Sequence, residues 1–440
     1  MTVLTIRSLT IRTSLLTNIS MLTKKYSFWW ENSPPDFSFQ PQLPNYADIV
    51  IVGAGFTGVS TAFWLLSIAK KARKKGLRVV ILDEAPYAGF KSSGRMNGSI
   101  YLGSNRPAEQ VAGMVGQKVA EKLYNYSCRN NILLGKIIER GISCSSEFNG
   151  GFRMISTAAE AVEADNSAEL LRSWGYYPAR FDHEQSQHVM VVPYTKGSLF
   201  VPGEGMFDPF AFTNKLARRL RRDNLWIVYG TRVSYADTSS SIGPRLHLDN
   251  GHMLSAGKII HTTANTAPWD RIQENMICRR EQVVRTEPLN ADLDNMPLPL
   301  MPVELNGGVD SIRVHDRAII MTGGKSGLKN DPELGVMNDT GHNERVLGNL
   351  DKTMMHHFPI TNHMEISHTW TYIEKEMRDG LPLMGEIPGM EGHYVNIGHG
   401  RNKFGLAFAG ARNIAEKVLR VKMSTPDFKI FDPKRLTRGE

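Results

Sequence analysis

Gly53, Gly55 and Gly58 stand in a Gly-x-Gly-x-x-Gly array whose intervening residues are Ala54, Phe56 and Thr57. Such a turn carries phosphate chemistry when it lies between a strand and a helix. The first glycine permits a tight turn, the second lets the backbone approach a pyrophosphate, and the third lets the helix pack on the strand. Free N–H groups at the positive end of the helix then hold the phosphate charge. The context here is complete, because Asp48-Ile49-Val50-Ile51-Val52 reads as a buried parallel strand and Val59 to about Ala69 as a helix. A second strand, Leu77–Leu82, ends at Asp83 and Glu84, and a carboxylate there suits a ribose diol. Asp83 follows Gly53 by 30 residues, more than the ~20 usual for this fingerprint. The basic stretch Lys70–Lys75 accounts for the excess by lengthening the helix or its loop. We expect a dinucleotide site.

Two further segments bear on which dinucleotide. Ser92-Ser93-Gly94-Arg95-Met96-Asn97-Gly98 follows the second strand closely, and its small residues let backbone run against the pyrophosphate and ribityl chain of FAD. Near the C-terminus, Asp379-Gly380-Leu381-Pro382-Leu383-Met384-Gly385-Glu386 precedes Gly398-His399-Gly400-Arg401-Asn402-Lys403-Phe404-Gly405. A glycine turn before a helix offers backbone donors and a positive dipole to the electron-rich edge of a flavin. Stabilising a reduced, anionic flavin is the electrostatic help that hydride transfer needs.

The elements that must position these residues follow from periodicity. Helices are expected over 107–140, 158–175, 212–222 and 406–421. Strands are expected over 225–234, 244–249, 258–262, 280–286, 312–322, 366–373 and 392–397, with tight turns at Asp249-Asn250-Gly251 and Asn306-Gly307-Gly308. Glycine turns at both ends of the chain imply an α/β fold in which a Rossmann-type, GR2-like FAD-binding domain is discontinuous. Its pieces would be 46–135, 205–275 and 380–425. Residues 136–204 and 276–379 would form an α+β substrate domain dominated by antiparallel sheet, and 426–440 a C-terminal tail.

Composition narrows the partners. The net charge of +8 sits largely in Lys70–Lys75 and Arg218–Arg222, near helix ends where cations complement the dipole. No helix-turn-helix, zinc or aromatic RNA-binding pattern accompanies it, so we expect no nucleic-acid partner. Cys128, Cys144 and Cys278 are widely separated, which argues against a disulfide framework. His356-His357 lacks companion ligands, so no metal is expected. Ile49–Ala69 runs 21 residues without a charge, but its glycines and strand-like opening fit the dinucleotide turn better than a transmembrane segment. Residues 1–30 carry Arg7, Arg12, Lys24 and Lys25 and no acidic residue. They read as a leader, either poorly ordered or an organellar transit peptide. The expected location is cytoplasmic, or mitochondrial if that leader acts as a transit peptide.

The three glycine-rich segments resemble the D-amino-acid oxidase family of FAD-dependent amine oxidoreductases. Ser27-Phe28-Trp29-Trp30-Glu31-Asn32-Ser33-Pro34-Pro35 and the Ser-Gly-Arg turn are most similar to the gamma-glutamylputrescine oxidase branch, although Met96-Asn97-Gly98-Ser99 departs from its Asn-Gly-Gly ending. Gly398-His399-Gly400-Arg401-Asn402 is similar to the glycine-oxidase form. Sarcosine oxidase belongs to the same family, but the cysteine of its covalent flavin has no counterpart near Glu365–Gly385, so non-covalent FAD is expected.

The resemblance implies hydride transfer from the C–H beside an amine nitrogen to flavin N5, then hydrolysis of the imine, with oxygen or another acceptor taking the electrons. It implies a cofactor set of Gly53, Gly55, Phe56, Thr57, Gly58, Asp83, Glu84, Ser92, Ser93, Gly94, Arg95 and Gly98. Val233, Thr263, Gly398, Gly400, Arg401, Asn402, Lys403 and Phe404 complete it, Val233 through its backbone at the adenine.

The catalytic candidates keep open alternatives. Arg401 suits a planar substrate carboxylate or flavin tuning, and equally a structural bond to a nearby carbonyl. Lys403 suits reduced flavin or superoxide, and Lys325 oxygen activation, yet either fits an ordinary loop. Trp370 and Tyr372 would line a substrate cavity or simply pack. Three other readings stand beside the small amine or amino-acid substrate: a flavin domain acting on a tRNA-linked amine, an NAD-dependent dehydrogenase, and a non-catalytic FAD-binding protein.

Overall fold

The computed structural model describes residues 23–33, 35, 42–104, 106–189, 194–221, 224–237, 243–289 and 301–437. The first 22 residues of the expected leader lie outside them. Residues 23–33 do not behave as a leader: Trp29 is fully buried and its Nε1 donates to the Met96 carbonyl at 3.0 Å, while Thr23 Oγ1 donates to the Ile366 carbonyl. Apolar surface and paired hydrogen bonds seat this segment in the fold.

One sheet of eight strands carries the cofactor turns. Its main path runs Leu383–Glu386, His393–Ile397, Met253–His261, Tyr46–Val52, Val79–Leu82, Leu225–Val228. All neighbours on this path are parallel except the first pair. A hairpin of Val233–Asp237 and Arg245–Leu248 is appended to Met253–His261. The strand Tyr46–Val52 is buried on both faces, as a central parallel strand must be. Helices Phe56–Lys71 and Lys403–Val418 pack together over one face. The basic runs end up where expected, with Lys70 and Lys71 in the last turn of one helix and Arg218 and Arg219 in the last turn of Pro209–Leu220. Asp208 starts that last helix by accepting from the Phe210 and Ala211 amides at 3.0 and 2.9 Å.

The second sheet also has eight strands, ordered Ile366–Met377, Met276–Thr286, Ala318–Gly323, Asp310–His315, Val303–Leu305, Gly151–Met154, Ser198–Val201, Ala179–Phe181. It is antiparallel except where Val303–Leu305 meets Gly151–Met154. The expected strand over 312–322 is a hairpin that turns at Asp316-Arg317, both at positive φ (47° and 60°). The expected helix over 107–140 is two, Ala108–Val115 and Gln117–Glu139, broken at Gly116. Helix Glu344–His357, absent from the sequence expectation, covers the second sheet with Val346, Leu347, Leu350 and Met354. Residues 426–437 are not a free tail. Phe431 is fully buried against Tyr126, and Arg435 pairs with Asp379 at 2.6 Å.

Candidate cofactor groove and active site

A groove of about 390 Å³, open to solvent along part of its length, follows the C-terminal ends of the parallel strands. In sheet order it is lined by Ile397-Gly398-His399, Thr262-Thr263-Ala264, Val52-Gly53, Leu82-Asp83-Glu84 and Thr231–Ser234. Ligands of open parallel sheets bind at such an edge. Gly53 adopts φ +110°, and a Cβ there would lie 2.7 Å from Thr262 Oγ1 and from Thr263 Cγ2. A Cβ on Gly58 would run into the Gly53 carbonyl, so the close approach of helix to strand needs glycine. The cradle therefore fits a dinucleotide pyrophosphate.

Of the expected cofactor residues, Gly53, Gly55, Thr57, Asp83, Glu84, Ser92, Ser93, Val233, Thr263, Gly398 and Lys403 line this groove. Asp83 also organises the turn, accepting from the Ala54 amide at 2.5 Å and the Ala85 amide at 2.8 Å. Burial pushes its carboxyl up to about 6 against those two hydrogen bonds. Glu84 is half exposed beside Arg232 at 3.8 Å, which leaves its carboxylate available to a ribose. The groove also takes in Gly89, Lys91, Asp339, Lys375 and His399, which sequence reasoning missed. Lys375 lies two residues beyond the end of the strand expected over 366–373, on the same face of Ile366–Met377 as Ile373.

Nine expected cofactor residues do not line it, Gly58 among them at the contact of helix with strand. Phe56 and Phe404 are fully buried in an aromatic cluster with Phe207, their own rings 5.0 Å apart, and so support the turns from beneath. Gly94 and Gly98 pack against the carbonyls of Gly89 and Phe207, and Gly400 against Glu376. Asn402 ties the turn to its neighbour by accepting from the Tyr101 amide and donating to the Gly103 carbonyl. The Arg95 guanidinium lies 5.1 Å from the rings of Trp30 and Phe90, which stack on each other, and pairs with Asp339 at 3.2 Å. Its role is to clamp the 92–98 segment to the second sheet. The ninth, Arg401, belongs to a charged partition.

That partition stands where the two sheets meet. Arg401 donates to the Gly308 carbonyl and pairs with Glu281 at 3.3 Å and Glu374 at 3.5 Å. Lys325 pairs with the other oxygen of Glu281. Burial raises Glu281, but Lys325 and Arg401 outweigh it and hold the carboxyl below its usual range. Glu374 is pushed up to about 7 by burial and by Glu281. Arg401 and Lys325, expected at a substrate carboxylate and at oxygen, are thus committed to buried glutamates. Trp370 and Tyr372 are both buried in the core, and Trp370 Nε1 donates to the Arg95 carbonyl at 2.7 Å. Neither lines the groove.

Lys403 is different. It opens the helix Lys403–Val418 in the wall of the groove, and no carboxylate lies within ion-pair distance among the described residues. Burial lowers its ammonium to about 8, with Glu374 acting the other way.

The family model described as FAD dependent oxidoreductase matches residues 48–417. The chain belongs to this family. Its cofactor is FAD, and no cysteine lines the groove, which leaves the expected non-covalent attachment in place. A probable oxidoreductase, OrdL, of Haemophilus influenzae is 23% identical over 407 residues, covering 89% of this chain and 88% of that protein. Glycine oxidase from Geobacillus kaustophilus superposes with a TM-score of 0.73 at 19% identity, covering 90% of this chain and all of that one. L-proline dehydrogenase from P. horikoshii gives 0.71 at 19% identity, with 90% and 100% covered. The protein is an FAD-dependent oxidoreductase of this fold. Among the described residues no helix is long and apolar enough to cross a membrane, and no group of three potential metal ligands occurs.

Proposed function

We propose that this FAD-dependent oxidoreductase acts on a small amine or amino acid, removing hydride from the C–H beside the nitrogen to leave an imine that hydrolyses in water. The observation that carries the reading is Lys403, a cation with no carboxylate in ion-pair distance among the described residues, at the first position of a 16-residue helix in the wall of the groove. Bound FAD supplies the two-electron acceptor. The ammonium and the positive helix end together form a field suited to the negative charge that the acceptor gains.

Around that point the chain's own groups hold position. Ser92 Oγ donates to the Ile373 carbonyl at 2.6 Å, which fixes the 92–98 segment against the strand that forms the other wall. With Glu374 ionised, Arg401, Glu281, Glu374 and Lys325 hold equal numbers of opposite charges, and the partition then adds little net field. The oxidised form of a substrate amine needs only solvent water to complete the reaction, which matches a site whose carboxylates are largely paired. The amino acids named for glycine oxidase and L-proline dehydrogenase share the reacting C–H beside nitrogen and support this substrate class.

An anaerobic absorbance scan of the flavin against amines and amino acids is the test. Bleaching by one of them is expected, and admission of air then separates oxygen from another acceptor. Bound FAD that no amine or amino acid reduces would overturn the proposal.

A further inference from the structure

Three helices of the parallel-sheet domain end on the side of that sheet away from the groove. Phe56–Lys71 leads into Val79–Leu82, and Pro209–Leu220 into Leu225–Val228, so their C-terminal ends lie at the starts of those strands. Lys403–Val418 packs along Phe56–Lys71 and ends beside it, where Lys74 Nζ donates to the Leu419 carbonyl at 2.7 Å. The two ends of the sheet are therefore chemically distinct. One is the cofactor groove, and the other carries both basic runs of the sequence.

The cations at this second end are of two kinds. Lys74 and Lys258 donate to the Leu419 and Val418 carbonyls, at 2.7 and 2.5 Å, and so cap Lys403–Val418. Lys70, Lys71, Arg73 and Lys75 are exposed, and among the described residues no carboxylate lies within ion-pair distance of them. Lys70, Arg73, Lys74 and Lys75 line an open depression of about 480 Å³ together with Leu66, Ala69 and Leu77. No acidic residue lines it among the described residues. Leu66 and Leu77 are only partly buried, so the depression combines an apolar floor with a cationic rim.

Arg73 is held there against its backbone preference. Its φ is +55°, in the left-handed region, and the Lys74 amide reaches back to the Ala69 carbonyl at 2.9 Å. A helix ending of this form ordinarily takes glycine, which adopts positive φ freely. Arg420 closes the neighbouring helix in the same way, at φ +53° with the Val421 amide on the Glu416 carbonyl at 3.0 Å. Two adjacent helices thus give the glycine position to an exposed arginine. Complementing the helix dipole does not require Arg73, since Lys70 and Lys71 already stand in that last turn.

Long cationic side chains around an apolar floor suit an anionic lipid surface. Their stems lie along apolar groups while the charged ends reach headgroup phosphates. A nucleic acid would use the same charges but offers little to Leu66 and Leu77. Among the described residues no aromatic ring lines the depression to stack on a base. We propose that this end of the molecule docks on an anionic membrane surface, leaving the cofactor groove at the far end of the sheet turned to water. The contact is peripheral and independent of which substrate the flavin oxidises.

The test is co-sedimentation of the FAD-loaded protein with phosphatidylcholine vesicles, with and without phosphatidylglycerol. Each cation at such a surface adds about 5-fold in affinity, so the anionic vesicles should bind about 100-fold more tightly or better. Added salt should weaken that binding. Lys70→Gln, Lys71→Gln and Lys75→Gln together should lower it about 100-fold with the flavin absorbance kept. Arg73→Gly separates binding from folding. It should lower vesicle affinity about 5-fold while raising the Tm, because glycine relieves the positive φ. No binding, equal binding to both kinds of vesicle, or anionic binding that survives these substitutions overturns the inference. An oligonucleotide of mixed sequence that binds more tightly than the vesicles at the same salt also overturns it, and assigns the face to nucleic acid.

Discussion

The two eight-stranded sheets both bury apolar residues, but they differ in the charge they bury. In the parallel sheet, Ile49, Ile51, Val79 and Ile81 face one core cluster while Val50, Val52, Val80 and Leu82 face another. Its buried ring pair, His261 and His393, is held neutral, with burial lowering them to about 3 and about 4. The antiparallel sheet buries Arg280, Glu281, Arg285, Glu304, Arg313 and Glu374. The difference divides the labour. An apolar parallel sheet presents rigid backbone at its edge, which is what a pyrophosphate reads. The charged sheet presents side chains, which is what can distinguish one substrate from another.

The largest effect that separates the two sheets should come from the charged one. Glu281→Gln leaves Arg401 and Lys325 facing Glu374 alone, and breaking a buried pair in this way costs about 3–5 kcal/mol. Thermal unfolding should show a strong drop in Tm; an unchanged Tm would mean that the partition is solvated in solution. The parallel sheet should respond in binding instead. Gly53→Ala places a Cβ against Thr262 and Thr263 at φ +110°, and should weaken FAD roughly 100-fold, equivalent to about 3 kcal/mol. Flavin absorbance after gel filtration, with circular dichroism to show an intact fold, checks it. Retention of flavin like the parent would refute the cradle.

Where the sheets meet, Lys403→Met should slow anaerobic flavin reduction about 100-fold, the scale of one lost oxyanion-type donor. In the parent the rate should fall as pH rises through about 8, because the ammonium is present below that pH and lost above it. The variant should lack that fall, and a fall that persists would assign it to another group. The smallest effect belongs to a helix end away from the groove. Thr157 and Glu160 form a reciprocal cap on helix Ala158–Ser173. Thr157→Ala should cost about 1 kcal/mol in denaturant unfolding with FAD binding unchanged.

Legibility in the sequence followed the same division. The Gly53–Gly58 turn, the strands around it and the helix beginning at Asp208-Pro209 rest on local backbone needs, and short stretches of sequence express those. The hairpin at Asp316-Arg317 lacked the Asn-Gly or Asp-Gly signature of such turns, so it read as one strand. Helix Glu344–His357 did carry a readable signal, Asn343 accepting from the Arg345 and Val346 amides ahead of spaced apolar residues. In the site, Lys375 lay two residues beyond the strand expected over 366–373, and nothing local said that Phe56 and Phe404 would face away from the groove.

The sequence by itself determined a glycine turn at a parallel sheet edge of the kind that suits a dinucleotide, because backbone conformation and close packing there permit little but glycine. Only the tertiary structure decided what the charged residues do. Lys325 meets Glu281 across 44 residues of chain, and Arg401 meets it across 120. Strand register sets those distances. A cation's role depends on which carboxylates that register delivers to it, and Lys403 stands apart from Arg401 and Lys325 because none was delivered within ion-pair reach.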